Sequence, residues 1–268
     1  MKQLLGHLDN IGFEGSRRAL AALVLSLFTS LFLLISLNAP PGTGPMLLAL
    51  GACYLVAFMA VVAEWFWGRW FASGLAWSGL MVSVFGLIKV GWIPPLAIYG
   101  ALHGLVVVAL LGKKMAARYD MQEAWRKRFG MDEFGVARLR KTVTRASASL
   151  PSLIVMVLGP KEPGQGMAVT ALGIGTLLLA AAGLRGVIRM RSWGVLALAA
   201  SCVGVSLFGA EALSFYGADR LWSQFGGFGG AATASALLGI GTTLSAVLLA
   251  LAVVPFLGPA LRFIRDRR

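Results

Sequence analysis

Ala19-Leu-Ala-Ala-Leu-Val-Leu-Ser-Leu-Phe-Thr-Ser-Leu-Phe-Leu-Leu-Ile-Ser-Leu-Asn38 contains no ionisable side chain. At 1.5 Å per residue, such a run makes a helix of about 30 Å, the thickness of a bilayer's hydrocarbon core. Arg17 and Arg18 stand directly before it, and the turn Ala39-Pro-Pro-Gly-Thr-Gly-Pro45 follows. The stretch therefore reads as a spanning helix with its basic flank in the cytoplasm. The long polar lead, Met1 to Arg18, does not fit a cleavable signal peptide.

The same pattern continues outward. Met46 to Ala63, Phe71 to Val90 and Trp92 to Gly112 are further apolar runs, punctuated by Glu64-Trp-Phe-Trp-Gly-Arg-Trp70 and Gly91-Trp-Ile-Pro-Pro95. After a basic stretch come the short run Ala146 to Gly159, then Met167 to Leu184, Trp193 to Ala210 and Ala231 to Leu257. Only 13% of the 268 residues are charged and mean hydropathy is +0.79, against about a quarter charged in soluble domains. The net charge of +13 is then a membrane signature, with anionic lipid head groups rather than nucleic acid as its partner. If the short run also crosses, 21 of the 24 basic residues fall on the cytoplasmic side of eight spans. The expected location is the cytoplasmic (inner) membrane, with both termini inside.

Lys113 to Arg145 holds ten basic and four acidic residues. Met121, Trp125 and Phe129 share one helical face, and Val136, Leu139 and Val143 another. This predicts either two amphipathic interfacial helices on the membrane surface or a solvated basic linker.

An internal repeat organises the chain. Trp70 to Gly86 and Trp193 to Gly209 match at 8 of 17 positions without gaps, including Ser78 with Ser201 and Ser83 with Ser206. Pro41-Gly-Thr-Gly44 recurs as Pro163-Gly-Gln-Gly166, and the arm Asp9-Asn-Ile-Gly12 as Asp132-Glu-Phe-Gly135. The expected fold is an all-α membrane protein. Two parallel tandem four-helix repeats, residues 1–118 and 119–268, are related by an axis along the membrane normal.

Chemistry is sparse. His103 is the one histidine within a span, and its counterpart for a haem pair, His7, lies in the N-terminal arm. Cys53 and Cys202 each sit in an apolar run and read as small buried hydrophobes. Glu64 and Arg69 flank an aromatic belt and read as a pair or as interface markers. Lys89 is one turn from the outer boundary and reads as a snorkelling cation. The stripes Ala231, Ser235, Gly239, Thr243 and Ala200, Gly204 predict close helix packing. No cofactor, metal or catalytic site is expected.

The leading expectation is a non-catalytic membrane subunit or scaffold. It would act through a protein partner or anionic lipid docked by Arg17, Arg18, Arg140 and Lys141. A transporter would instead line a path between the repeats with His103, Ser78, Ser83, Ser201 and Ser206. An intramembrane enzyme would bring Glu64 and His103 together.

Overall fold

The structure, a computed structural model, describes residues 12–40, 42–160, 167–214 and 230–265. The Asp9 arm, His7, the Pro163 turn and most of the loop between residues 211 and 230 lie outside the described residues. Every regular element among the described residues is an α-helix. In chain order these are α1 (Gly12–Leu37), α2 (Gly44–Val62), α3 (Gly68–Val90), α4 (Pro94–Leu110), α5 (Lys113–Asp120), α6 (Glu123–Phe129), α7 (Glu133–Leu158), α8 (Met167–Ile188), α9 (Ser192–Ser214) and α10 (Gly230–Arg265).

Local chemistry sets the boundaries. Proline occupies the first turn of α2 and of α4, where its missing N–H costs nothing. Asp132 caps α7, its carboxylate accepting from the Gly135 N–H at 2.7 Å. Gly112, with φ of 112°, breaks the chain between α4 and α5, whose axes differ by 75°.

By length and composition five helices are able to cross a membrane: α1, α2, α3, α8 and the Gly239–Phe256 part of α10. Counting α4 with α5 as one bent span makes six. The outward surface is apolar, as lipid contact requires: Leu23, Leu34, Leu178, Leu196 and Leu207 are each more than 60% exposed.

Two groups of helices pack in the same cyclic order. In the first, α1 touches α2, α2 touches α3, α3 touches α4 and α4 returns to α1; in the second, α7 to α10 do likewise. The groups meet one-sidedly. α3 lies along α7, with smaller α3–α10 and α2–α7 contacts, and α1 makes no comparable contact with α9.

α7 corrects the reading of the linker. It is one continuous helix of 26 residues, Glu133–Leu158, that joins the last part of the basic segment to the short apolar run. Val136, Leu139 and Val143 do not rest on a membrane surface; they are buried in the protein core. Because protein surrounds α7, only part of it must tolerate lipid, which is why its hydropathy is low for a helix about 39 Å long. The smaller α6 does turn an aromatic inward: Trp125 stacks on Phe66 at 4.3 Å. Thus α5 and α6 pack on the first group of helices.

The predicted small-residue stripe on α10 is displaced, whereas the one on α9 packs closely at Gly204, where an added methyl would overlap Thr176 of α8. Thr243 is exposed, and a methyl added at Gly239 would meet nothing within 4 Å. The face of α10 that packs lies one or two residues over. There, Ser245 donates to the Ser149 carbonyl at 3.1 Å and the Ala252 carbonyl accepts from Thr142 at 2.9 Å. α8 and α9 approach backbone to backbone at Gly183, Gly186 and Gly194, where added methyls would meet main-chain atoms.

Candidate functional site

The basic segments within the described residues converge on one end of the bundle. Its centre is Asp120, 3% exposed at the end of α5. Arg69 donates Nε to Oδ1 at 3.2 Å and Nη2 to Oδ2 at 2.5 Å. Trp70 donates its indole N–H to Oδ1 at 2.8 Å, and Arg140 of α7 reaches Oδ2 at 3.7 Å. One carboxylate so joins α3, α5 and α7.

Glu64 forms a second junction. It adopts a left-handed conformation, φ 54°, at the end of α2. Its carboxylate pairs with Arg18 of α1 and, at 2.7 Å, with Arg118 of α5. Its carbonyl accepts from Gln122 at 2.8 Å. Tyr119 donates to the Val61 carbonyl at 2.8 Å. Burial pushes its phenol above the ordinary value against the opposing pull of Arg18, Arg118 and Arg69. Glu64 and Arg69, read as a possible pair, thus have separate partners.

Arg17 donates to the Val108 carbonyl at 2.6 Å and to the Leu111 carbonyl, covering the open end of α4. Of the four residues expected to dock a partner, Arg17, Arg18 and Arg140 are therefore held by intramolecular contacts; Lys141 is exposed. The exposed cations at this end that have no carboxylate partner among the described residues include Arg138, Lys141 and Arg191, with Arg185 on α8 and Arg189 just past its end.

His103 is buried far from these charges, 1% exposed. Its Nδ1 lies 2.8 Å from the Tyr99 carbonyl. A carbonyl only accepts, so Nδ1 carries the proton and Nε2 accepts from the Tyr54 hydroxyl at 2.7 Å. Phe28 and Tyr99 flank the ring at 4.3 and 4.2 Å. Both ring nitrogens are satisfied by neutral partners, and Glu64 is not among them.

None of the four serines expected to line a path with His103 is hydrogen-bonded to it. Ser83 donates to the Leu96 carbonyl at 2.5 Å, Ser201 to Leu198 at 2.8 Å and Ser206 to Cys202 at 3.1 Å. Ser206 is exposed. Ser78 is 1% exposed and its hydroxyl has no hydrogen-bond partner. None of the five residues lines the cavities described here.

The largest of these cavities, about 820 Å³, lies where the two groups of helices part. α2 forms one wall and α8 the other, and Leu150 of α7 and Phe71 of α3 also line it. Trp65, Trp67, Glu64, Gln122, Arg185 and Arg189 line its polar part. A second cavity, about 650 Å³, carries Arg138 and Arg191 beside Phe256. A third, also about 650 Å³, has Lys89 with Phe85 and Ile88. Among the described residues no group of three or more His, Cys, Asp or Glu is placed to hold a metal. Both cysteines are free.

Comparison with protein-family models, with curated proteins and with solved structures finds no match for this chain.

Proposed function

We propose that the chain is a non-catalytic subunit of the cytoplasmic membrane that docks an acidic protein surface at its basic end. The observation that carries this reading is the exposure of Arg138, Lys141 and Arg191, while neighbouring basic side chains are engaged internally. Desolvating such cations against a partner's carboxylates confers orientation and a fast, salt-sensitive association. The neutral, fully bonded setting of His103 supports a structural role for the one buried histidine. A route through the boundary between the groups is less favoured, because α3 lies directly on α7 where Gly74 meets Ser147.

The reading includes eight spans in two tandem four-helix units. Three features support it: the matched cyclic packing, the shared chain reversal, and the equivalent faces. Glu64, two residues past the end of α2, and Met190, two past the end of α8, are both non-glycine residues with φ near 55°. Each turn closes with the same hydrogen-bond pattern, Trp65 N–H to Ala60 in one and Arg191 N–H to Gly186 in the other. Gly79 faces His103 of α4, and its sequence counterpart Cys202 faces Ala246 of α10.

The test is purification of the full chain from its native membrane in mild detergent, beside the triple variant R138Q/K141Q/R191Q. A stoichiometric protein that leaves with the variant, at unchanged thermal stability, supports docking. A lone chain in both preparations overturns it and moves attention to transport in liposomes. Orientation is checked separately, in a background lacking Cys53 and Cys202. Asn38→Cys should label from outside, and Lys113→Cys only after permeabilisation.

A further inference from the structure

The geometry points to the cleft between α2 and α8 as a binding site for one anionic phospholipid taken laterally from the surrounding leaflet. This does not rest on the docking reading, which uses other cations. α2 and α8 make no extensive contact with each other, so the cleft opens between them toward the bilayer. A water-soluble occupant would have to cross lipid to enter its apolar part; a lipid tail is already there.

The dimensions match one leaflet. Ala52 to Ala63 of α2 line the cleft along its height. Eleven helical steps rise about 16 Å, half of a 30 Å hydrocarbon core. A volume of about 820 Å³ falls within the range of sites for small organic ligands, a few hundred to a thousand Å³.

The polarity is graded in the same direction. Ala52, Cys53, Val56 and Ala181 line the deep part, and Arg185 and Arg189 the part nearer the basic end. Arg185 lies in the last turn of α8 and Arg189 just past its end, its N–H donating to the Arg185 carbonyl at 3.1 Å, so the two stand on one face. Both are exposed and neither has a carboxylate partner among the described residues. Guanidinium groups so placed suit a phosphodiester. Glu64 also lines the mouth, but Arg18 and Arg118 already neutralise it. The mouth is therefore net positive and favours an anionic over a zwitterionic head group. Trp65 and Trp67, 5.2 Å apart, stand where indoles concentrate in membranes, at head-group level.

The experiment uses purified full-length protein in neutral detergent with brominated phosphatidylglycerol or brominated phosphatidylcholine, read as quenching of tryptophan fluorescence. The W65F/W67F variant isolates the part of the signal that comes from the cleft. The expected result is half-maximal quenching of that part at an at least about fivefold lower mole fraction of phosphatidylglycerol, the effect of one arginine near an anionic lipid. R185Q/R189Q should reduce the preference below about twofold on the same basis, and R138Q/R191Q should leave it intact. A181F, which fills the cleft without adding a tryptophan, should abolish the cleft signal with both lipids. Equal quenching by the two lipids in the wild-type protein overturns the assignment, even if a variant fails to fold. So does a preference that survives R185Q/R189Q in a folded protein.

Discussion

Arg69 and Asp120 form a buried ion pair across fifty-one residues of sequence, with Arg69 Nη2 2.5 Å from Asp120 Oδ2. Neither is more than 8% exposed. Removing Asp120 leaves the Arg69 guanidinium buried without a counter-charge. Asp120→Ala should lower stability by about 3–5 kcal/mol, read by thermal unfolding in a fixed detergent. The double replacement Arg69→Met with Asp120→Leu should recover most of that loss, since two matched apolar groups leave no orphaned charge. A double variant as unstable as Asp120→Ala would contradict this account.

Gly74 sits where α3 crosses α7, and a methyl there would overlap Ser147 Oγ and the Thr144 carbonyl. Part of that obstacle is main chain, so the helices must separate. Gly74→Ala should destabilise by about 1–3 kcal/mol. Gly175→Ala is the matched control, because nothing lies within 4 Å of its added methyl. It should be neutral, or more stable by up to about 1 kcal/mol through helix propensity. Equal effects at the two sites would show that the close approach is not what matters.

Tyr54→Phe removes the hydroxyl that donates to His103 Nε2 and that also meets the Tyr99 hydroxyl. A buried hydrogen bond between membrane helices is worth about 0.6 kcal/mol on average and at most about 1.7. A loss within that range is expected, measured as resistance to denaturation in mixed micelles. A much larger loss would point to a charged or otherwise coupled histidine.

Tyr119 supplies a pH signature. Its folded phenol titrates above the ordinary value because burial disfavours the phenolate. The protonated form is the one that donates to Val61. Its stabilising contribution is therefore complete below the ordinary phenol value of about 10 and declines as pH rises beyond it. Tyr119→Phe should be less stable at neutral pH and should flatten the alkaline fall measured in the wild-type protein.

The class of the protein was legible because spanning helices carry their own signal: an uncharged run such as Ala19 to Asn38 has few other uses. The gathering of basic segments at one end followed from counting Lys and Arg along the chain. Helix α7 was harder, since burial inside protein lets Thr142, Ser147 and Ser149 replace apolar residues and so erases the hydropathy peak. The stripe on α10 was misplaced because Gly, Ala and Ser recur on several of its faces, and only the neighbouring helix selects Ser245 over Thr243. Asp120 gave no signal, as an acid in a charged linker looks solvated until Arg69 and Trp70 are folded onto it. Tyr54 was equally silent: an aromatic within an apolar run says nothing of what its hydroxyl meets.

The path of the chain through the Asp120 junction also bears on time. A ribosome adds about 5–20 residues per second, so Arg69 is made several seconds before its carboxylate. During that interval the turn after α2 exposes an uncompensated guanidinium, with Trp70 beside it. Arg140 follows Asp120 by a further twenty residues. The first four long helices thus come together around a charge that only the linker completes, and synthesis of that linker closes the first half of the protein before the second half exists.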